Sequence, residues 1–506
     1  MKSRCVAAAM LLLVAPAFAL DGEPGMHDPS TVIQADGKFY AYSTGNGLPA
    51  FVSDDGWTWR RAGSVMQAVP GGRPGPDVIA RGGNNSWAPD VIRVGDRYFL
   101  YYAAPGTQPK AAIGLLIGKT LDPSSPDYKW EDGGPVVWSD GVEDSNAIDP
   151  GVLHDPTNGT LWLTYGSYFG YIRLVELDPK TGKRLHPERQ PVNLAINSEA
   201  SVLIIHDGWY YLLVTHGSCC AGGNSSYNIR MGRSKKVTGP FLDNMGVDMI
   251  QGGGKLFAGS SGRHIGPGHF GLLDLGDGVQ KFSCHYESDL DRGGASVLDI
   301  RPLLWRDGWP VAGDNVTAGT YEIQSARTGT ALEMAVQGVP VGGGRGRGGR
   351  GGAAAPGGRG EPGTSPPVTP IAAQDAAQVS ANWPAGPADV RMAPYMVQAH
   401  QKWTITPVAD AGGYPGSPFF KITIAGTDRA LAATSESELV VLPAFTGGPE
   451  QLWRIDQLSD GTSRVMPKAV PNSKEPLALS AVGSSAPTLA KFKPDSDRQR
   501  WLIITP

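Results

Sequence analysis

One strand pattern occurs five times in the first part of this chain and constrains its fold more than any other feature. Each copy has a short polar or turn segment, an apolar strand, a Gly turn and a second apolar strand. The copies begin at His27, Trp87, Ile148, Ser198 and Gly266, about 50 to 70 residues apart. Units repeated at such a spacing stack around a common axis. A double-sheet sandwich would not generate this repetition. The pattern therefore predicts an all-β protein with a five-bladed β-propeller of four-stranded blades over residues 21–312.

Three of the five copies open with an acid. These acids are Asp28 in HDPS, Asp149 in IDPG and Glu199 in SEAS. An Asp before Pro is commonly a turn former, but placement of an acid in three repeats favours a shared function. If equivalent positions lie at equal depth, the three carboxyl groups converge at one end of the axis. Converging carboxyls are the groups that glycosidic bond cleavage needs.

The N-terminal residues have the pattern of an export signal. Lys2 and Arg4 precede an apolar run, and Ala17-Phe18-Ala19 has the form of a cleavage site. We expect residues 1–19 to be a signal peptide of a secreted or periplasmic protein, with a retained membrane anchor as the alternative. The 44 basic and 48 acidic residues give a net charge of -4. This charge balance predicts no nucleic acid partner and no membrane partner after cleavage. We also expect a monomer.

Three cysteines follow the predicted signal peptide: Cys219, Cys220 and Cys284. An odd number leaves at least one thiol free, so no disulfide framework is predicted. The adjacent pair lacks the usual spacing of metal-ligating cysteines. A bridge from Cys284 to one of the pair is one interpretation, and buried small apolar side chains are the preferred one.

A second repeat begins at about residue 315. The triplets Gln401-Lys402-Trp403, Gln451-Leu452-Trp453 and Gln499-Arg500-Trp501 recur about 50 residues apart, and each follows a similar segment. These units resemble the ricin-type β-trefoil, which implies that residues 315–506 form a β-trefoil after the propeller. A Gly- and Arg-rich stretch at about 338–380 interrupts the first unit. Its composition predicts a disordered insertion.

The repeat region resembles glycoside hydrolase family 43. The motifs that carry the resemblance are HDPS at His27, WAPD at Trp87, AIDPG at Ala147 and SEAS at Ser198. Three further motifs are YGSYFGYI at Tyr165, SCCAGGNSSYNIRMGRSKKVTGPF at Ser218 and IGPGHFG at Ile265. Their order is most similar to the arabinan endo-1,5-α-L-arabinosidase branch. The resemblance covers nearly all of residues 21–312. It implies an inverting glycosidase that acts inside the arabinan of plant cell walls or a related pentose polysaccharide.

The resemblance also implies the roles of the three acids. Asp28 would be the general base that activates water, and Glu199 the general acid that protonates the departing oxygen. Asp149 would orient Glu199 and raise its pKa by like-charge repulsion. Inverting enzymes hold acid and base roughly 6.5–9.5 Å apart, which leaves room for the water.

Further residues of the same motifs are candidates for binding. We expect substrate contacts from Trp87, Asn146, Ser167, Tyr168 and Phe169, the aromatic residues forming walls of a sugar cleft. In similar arabinanases the histidine that corresponds to His269 holds a hydrated calcium ion on the axis, so the resemblance implies calcium here. Phe270 follows it, where the family pattern predicts a polar residue.

Two other functions stay open at this point. One is an exo-acting α-L-arabinofuranosidase or β-xylosidase on the same scaffold, and the other is a non-catalytic carbohydrate-binding protein. Sugar-binding trefoil units carry an Asp after a particular Leu. Here Leu332, Leu431 and Leu477 are followed by Glu333, Ala432 and Ala478, so at most one unit is expected to bind sugar.

Overall fold

The structure is a computed structural model that describes residues 20–142, 145–336, 376–483 and 486–506. The chain divides into two compact units. The first unit runs to Thr317 and includes the short segments Ala409–Phe419 and Asp456–Gly461, and the second unit contains the rest. The predicted signal peptide lies outside the described residues.

Five sheets of the first unit are each built around four consecutive strands, as the fivefold repeat predicts. The strands of blade 1 are Ile33–Ala35, Lys38–Tyr42, Pro49–Ser53 and Thr58–Ser64, with Asp21–Gly22 added in parallel. The strands of blade 2 are Trp87–Val94, Arg97–Pro105, Ala111–Gly118 and Trp130–Ser139. The strands of blade 3 are Gly151–His154, Leu161–Tyr165, Tyr171–Leu177 and Val192–Ile196. The strands of blade 4 are Glu199–His206, Trp209–His216, Asn228–Ser234 and Lys255–Ala258. The strands of blade 5 are His264–Asp274, Gln280–Asp289, Ala295–Arg306 and Trp309–Ala312. The five-bladed propeller is confirmed.

The hydrophobic core of this unit is divided among the five interfaces between neighbouring blades. Alternating strand residues point to opposite faces of each blade, so both faces bury apolar side chains against a neighbour. One cluster joins Phe39 and Trp59 of blade 1 to Leu298 and Ile300 of blade 5, which closes the ring. The first strands of blades 2 to 5 contact one another in sequence and therefore line the axis.

One residue with positive φ lies before or within the first strand of each blade, at an equivalent position of the repeat. These residues are Asp28, Ala88, Asp149, Ala200 and His269, with φ values of 48°, 42°, 54°, 49° and 57°. In blades 2, 4 and 5 the residue lies in a bulge of the first strand. This conformation costs a non-glycine residue about 1–2 kcal/mol, and such residues cluster at functional sites.

This backbone repeat corrects the alignment of the acids. Asp28 and Asp149 occupy the left-handed position itself, but Glu199 comes one residue before it and is equivalent to Trp87. In the bulge, two residues of the first strand lie opposite one residue of the second strand. The side chain of Glu199, just before the left-handed residue, therefore points in a different direction from those of Asp28 and Asp149. Three acids do open three repeats, but only two of them are at equivalent positions.

The second unit is also built mainly from strands. Ten strands form one hydrogen-bonded sheet, in the order Ala331–Met334, Ala388–Ala393, Leu439–Leu442, Ala430–Ala433, Phe420–Ile424, Trp403–Pro407, Gly319–Ser325, Trp501–Ile504, Ser463–Pro467 and Trp453–Gln457. Leu477–Ser480 pairs separately with Thr488–Lys491. A further two-stranded ribbon, which belongs to the first unit, pairs Gly413–Tyr414 with Ser417–Pro418.

Helices are short in the described residues. The α-helices are Pro76–Arg81 and Ala376–Val379, and the 3₁₀ turns are Val65–Ala68, Gly222–Asn224, Met249–Gln251, Leu290–Arg292, Ser380–Asn382, Ala399–Gln401, Pro449–Gln451 and Asp497–Gln499. None of the described helices has the length and apolar character needed to cross a membrane. The predicted disordered insertion falls mostly outside the described residues, but its last residues are folded in the helix Ala376–Val379 and the turn that follows.

The three tryptophans of the second repeat have the same environment. Trp403, Trp453 and Trp501 are each fully buried, and each follows a 3₁₀ turn that ends in Gln. Their indole N–H groups donate to the carbonyl oxygens of Leu332, Leu431 and Leu479 at 2.8, 3.0 and 2.9 Å. The equivalent leucine of the third unit is therefore Leu479 and not Leu477, which the sequence alignment had matched.

Candidate active site

The three acids lie at one end of the propeller axis. The charges of Asp28 and Glu199 both act on Asp149, and the charge of Asp28 acts on Glu199. The backbone amide of Ala200, next to Glu199, donates to Oδ2 of Asp149 at 3.2 Å. The structure thus brings together the acids from blades 1, 3 and 4.

Hydrogen bonds between neighbouring blades hold the left-handed residues in place. The amide of Ala88 donates to Oγ1 of Thr44 in blade 1 at 2.8 Å, and the amide of His269 donates to Oγ1 of Thr215 in blade 4 at 3.0 Å. The amide of Asp28 donates to Nδ1 of His285 in blade 5 at 3.1 Å. Each of these amides is satisfied by the preceding blade of the ring, so the site's geometry depends on blade packing.

Asp28 is surrounded by hydrogen-bond partners that stabilise its ionised form. Oδ2 lies 3.0 Å from Nδ1 of His27 and accepts from the Thr44 hydroxyl at 2.7 Å, and Oδ1 lies 3.2 Å from Nδ1 of His269. Burial by itself would raise the pKa of Asp28, but the hydrogen bonds from His269 and His27 outweigh it. The pKa of Asp28 is therefore well below its ordinary value, and the group is a carboxylate at neutral pH.

Glu287 of blade 5 holds the two histidines that support Asp28. Its Oε1 lies 2.8 Å from Nε2 of His27 and 3.0 Å from Nε2 of His285, and its Oε2 accepts from the amide of Cys220 at 2.6 Å. Burial opposes the charge on both His27 and Glu287, but their hydrogen bonds prevail. They raise the pKa of His27 to about 10 and lower that of Glu287 to about 2. His27 is thus an imidazolium between two carboxylates.

Glu199 and Asp149 are in the opposite electrostatic situation. Burial raises the pKa of Glu199; the hydrogen bond from the Tyr227 hydroxyl opposes this shift, and the charge of Asp28 adds to it. Burial and the charge of Glu199 raise the pKa of Asp149 well above its ordinary value. Because these two carboxyls repel each other, they titrate as a coupled pair. The surroundings therefore favour the ionised form of Asp28 and the protonated forms of Glu199 and Asp149.

Three of the five predicted substrate-binding side chains are open to solvent. Trp87 is 37% exposed, Tyr168 41% and Phe169 52%. The charges of Glu199 and Asp149 contribute, after burial, to a raised pKa of Tyr168, so this phenol lies close to the acids. Trp87 directly precedes Ala88, whose amide bonds to the Thr44 hydroxyl that contacts Asp28. Tyr168 and the backbone next to Trp87 therefore lie near the acids.

The other two predicted contacts are not accessible. Asn146 and Ser167 are 1% and 2% exposed, and Nδ2 of Asn146 donates to Oγ of Ser167 at 2.8 Å. This bond ties the segment before Asp149 to the residue before Tyr168. Substrate contact by these two side chains stays a prediction.

His269 offers a limited site for a metal ion. Its Nδ1 faces Asp28, and among the described residues no group of three clustered His, Cys, Asp or Glu ligand atoms includes it. Phe270 is buried against Phe257 and Phe282, so it contributes no ligand. Calcium prefers six to eight oxygen ligands. The residues present fit only a hydrated ion whose shell is mostly water.

The adjacent cysteines differ from the expectation of unpaired thiols. A disulfide joins Cys219 to Cys220, and Cys284 is a buried free thiol, so no bridge to Cys284 forms. Sequence spacing gave no signal for this pairing, because a bridge between neighbours needs a particular turn. The Cys220 residue in this turn has a positive φ of 63° and directs its amide to Glu287.

Sequence reasoning missed five side chains of the site. Four of them come from parts of the blades that the acid motifs do not include: Thr44, Tyr227, His285 and Glu287. The fifth is His27. His27 stands in HDPS next to Asp28 and was therefore within reach of motif analysis. Thr44 follows the second strand of blade 1, and Tyr227 directly precedes the third strand of blade 4. His285 and Glu287 lie on the second strand of blade 5, and only the folded ring brings these four residues to the acids.

Comparisons with known proteins agree with this geometry. The family model described as "Glycosyl hydrolases family 43" matches residues 23–310, which contain all five blades up to the last strand. The chain is 33% identical over 323 residues to the extracellular exo-α-(1→5)-L-arabinofuranosidase ArbA of Cellvibrio japonicus. That match covers 60% of this chain and 90% of the relative.

Two further similarities concern arabinanases. The chain is 33% identical over 293 residues to the extracellular endo-α-(1→5)-L-arabinanase 1 of Bacillus subtilis, covering 56% of this chain and 87% of the relative. The solved structure of Cellvibrio cellulosa α-L-arabinanase complexed with arabinohexaose is similar with a TM-score of 0.52 and 30% identity. That similarity covers 57% of this chain and 95% of the solved chain.

Proposed function

Since this chain belongs to the glycosyl hydrolases of family 43, we propose that it hydrolyses α-1,5-L-arabinofuranosidic bonds in arabinan, acting within the polymer and with inversion. The family makes the chain a glycosidase. The choice of arabinan is supported by relatives named for arabinanase or arabinofuranosidase activity that share about a third of their residues with it.

The observation that carries the proposal is the convergence of three carboxyls with different hydrogen-bond partners, which shift their pKa values in opposite directions. Environments that push the pKa values of neighbouring carboxyls apart assign one group as base and another as acid. In the proposed reaction Asp28, which is ionised, takes a proton from a water molecule as that water attacks the anomeric carbon. Glu199, whose raised pKa favours the protonated form, donates its proton to the departing sugar oxygen. Asp149 accepts a hydrogen bond from the amide of Ala200 and so fixes the backbone beside Glu199. Repulsion between the charges of Asp149 and Glu199 raises the pKa of the pair.

The neighbouring side chains have supporting roles in this proposal. Thr44 and His27 hold Oδ2 of Asp28, His269 faces its Oδ1, and Tyr227 holds one oxygen of Glu199, so these contacts orient both carboxyls. Trp87, Tyr168 and Phe169 bind the sugar rings through their exposed faces. Asn146 and Ser167 act indirectly by fixing the segments on either side.

We propose endo action, and a relative named as exo-acting makes exo action the second candidate. One relative at 33% identity is named as an exo-acting arabinofuranosidase and another at the same identity as an endo-arabinanase. An exo-acting α-L-arabinofuranosidase or β-xylosidase on this scaffold is therefore the second candidate. Product length distinguishes the two, because endo cleavage releases mixed oligosaccharides and exo cleavage releases one short product.

Calcium binding by His269 is retained as part of the proposal in a restricted form. His269 would hold a hydrated ion, which would add positive charge near the acids. The chain's own contribution is the imidazole, already oriented by Asp28, and no proton transfer above depends on the ion. Calorimetric titration of calcium into the metal-stripped protein and into His269→Ala tests this expectation. Equal binding by both proteins would contradict it.

We also propose that the protein is exported and that the second unit is a β-trefoil. Export is supported by the two relatives named as extracellular. The trefoil is supported by the three buried tryptophans with the same indole–leucine hydrogen bonds. The residues that follow those leucines are Glu333, Ala432 and Ser480, and all three are buried. Glu333 bonds internally to Arg391 and Gln401 at 2.5 and 2.7 Å. We therefore assign these three positions to the trefoil's own stability and not to sugar recognition.

Product analysis tests the proposed function. Wild-type protein is incubated with linear arabinan, branched arabinan and xylan, with Glu199→Gln as the control. Mixed arabino-oligosaccharides from linear arabinan, absent with the variant, are the expected result. Arabinose or xylose alone would transfer the assignment to the exo candidate, and no product from any of the three polymers would refute the substrate assignment.

A further inference from the structure

We propose that Asp90 is a positioning residue that fixes the separation of Asp28 and Asp149 by bonding to the backbones of the two blades that carry them. The inference rests on the proposed function, in which both of these acids act in catalysis. Asp90 itself belongs to blade 2, which lies between those blades.

Asp90 makes two symmetrical hydrogen bonds. Its Oδ1 accepts from the amide of Thr31 in blade 1 at 3.1 Å, and its Oδ2 accepts from the amide of Val152 in blade 3 at 2.9 Å. Thr31 is the third residue after Asp28, and Val152 is the third residue after Asp149. The carboxylate therefore connects the same backbone position of the two acid-bearing strands.

The chemistry of this bridge requires a carboxylate. Two amide donors face two oxygens, and of the buried side chains only an ionised Asp or Glu presents two acceptors and no donor. Asp90 is 4% exposed, and burial raises its pKa, so keeping it ionised here costs free energy. The corresponding positions, two residues after the left-handed residue, are Ser30, Gly151, Val202 and Gly271 in the other blades. The bridge is therefore a feature of blade 2 alone among the five.

The bridge acts on the acids through short, stiff backbone. Pro29 and Pro150 follow Asp28 and Asp149 directly and limit the backbone freedom between each acid and its bridged amide. Both acids already occupy strained left-handed conformations, which persist only when surrounding contacts hold them. Loss of the bridge lets blades 1 and 3 separate, and a displacement of about 1 Å at a catalytic group lowers the rate by about 10²-fold.

A matched pair of variants separates positioning from general stability. Asp90→Ala removes both bonds. Asp155→Ala is the control, because Asp155 is also a fully buried aspartate that joins two blades, accepting from the Tyr210 hydroxyl of blade 4 at 2.5 Å. Asp155 follows the other end of the first strand of blade 3, away from Asp149. Both variants should lower the melting temperature.

The measurement is kcat and KM at a temperature well below the melting point of every variant. The substrate is whichever compound the wild-type protein cleaves among arabino-oligosaccharides, aryl arabinofuranosides and xylo-oligosaccharides. Asp90→Ala should lose about 10–100-fold in kcat with KM within about twofold, as supporting residues of a site typically do, and Asp155→Ala should keep kcat within about twofold. Asp90→Asn keeps one acceptor oxygen but turns its NH₂ group toward the other amide, so its kcat should fall less than that of Asp90→Ala. If Asp90→Ala does not fold, Asp90→Asn is measured in its place.

The outcomes separate the two proposals. An unchanged kcat in the Asp90 variants, or an equal kcat loss in Asp155→Ala, would overturn the positioning role while leaving the glycosidase assignment intact. Cleavage of xylo-oligosaccharides alone would overturn the arabinan assignment and still test Asp90. A wild-type protein inactive on the whole panel would overturn both.

Discussion

Replacement of Tyr227 by phenylalanine should extend the activity of this enzyme to higher pH while lowering its maximal rate. The Tyr227 hydroxyl donates a hydrogen bond to Oε1 of Glu199. Burial and the nearby charge of Glu199 raise the pKa of Tyr227 far above neutrality, so the phenol remains a donor throughout the working range. A hydrogen bond to the ionised form of Glu199 stabilises the carboxylate and lowers its pKa.

The size of the effect follows from that single bond. A hydrogen bond to a charged group contributes about 1.5–3 kcal/mol, and one pKa unit corresponds to about 1.4 kcal/mol. Because Glu199 is only half-buried, water replaces part of the lost interaction, and we expect its pKa to rise by about 1 unit. The proposed reaction needs protonated Glu199, so activity falls as pH rises through this pKa. A higher pKa moves that fall to higher pH.

The assay is the pH profile of kcat/KM for hydrolysis of linear arabino-oligosaccharides by wild type and Tyr227→Phe. The alkaline limb should shift upward by about 1 unit, and kcat should fall by about tenfold because Glu199 loses its orientation. Tyr210→Phe is the matched control, since Tyr210 also donates to a carboxylate, that of Asp155, away from the acids. An alkaline limb that stays in place or moves to lower pH in Tyr227→Phe would refute the reasoning.

Three further predictions concern the supporting network, the cleft and the second unit. Glu287→Gln should lower the melting temperature most between about pH 4.5 and 6.5. The raised pKa of His27 adds stability that is complete below pH 6.5 and is lost as pH rises through about 10. The lowered pKa of Glu287 adds stability that is complete above pH 4.5 and is lost as pH falls through about 2. A difference in melting temperature that grows toward pH 10 would contradict this. Trp87→Ala should raise KM for arabino-oligosaccharides by about 10-fold with a smaller change in kcat, since an exposed aromatic ring contributes about 1–2 kcal/mol of binding when it packs on a ligand; an unchanged KM in steady-state kinetics would exclude it from the cleft. Trp403→Ala should destabilise its unit by about 3–5 kcal/mol in denaturant unfolding, because it empties a fully buried site and removes an indole hydrogen bond, and a loss below about 1 kcal/mol would show that the tryptophan is not central to that core.

The propeller was predictable from sequence because each repeat consists of patterns among neighbouring residues. Strand alternation and Gly turns are properties of neighbouring residues, and their fivefold recurrence identifies the architecture. The position of Glu199 was not predictable in the same way. Its equivalence to Trp87 depends on a bulge, and a one-residue offset leaves the letter pattern almost unchanged while turning the side chain in another direction.

The second unit shows the same limit. Leu477 and Leu479 both stand in an alternating strand, and either could have been matched to Leu332 and Leu431. Only the indole hydrogen bond of Trp501 identifies Leu479 as the equivalent residue. Register within a strand is set by contacts with distant residues, which a single sequence does not record.

Long-range polar contacts were the least predictable part of the site. Glu287 lies more than 250 positions from His27, and Asp90 is 59 and 62 positions from the amides that it joins. Asp90 does stand in WAPD, but nothing local distinguishes a bridging aspartate from a turn former. These residues acquire their roles because ring closure brings distant strands together.

The most direct test of the central claim is the anomeric configuration of the first product, followed by ¹H NMR during hydrolysis of linear arabino-oligosaccharides. With Asp28 as base and Glu199 as acid, water attacks opposite the leaving group, so the β-configured reducing end should appear first and mutarotate later. Asp28→Asn and Glu199→Gln should each reduce its rate of appearance by about 10²–10⁴-fold. Initial release of the α-configured product, or full activity in either variant, would contradict the account.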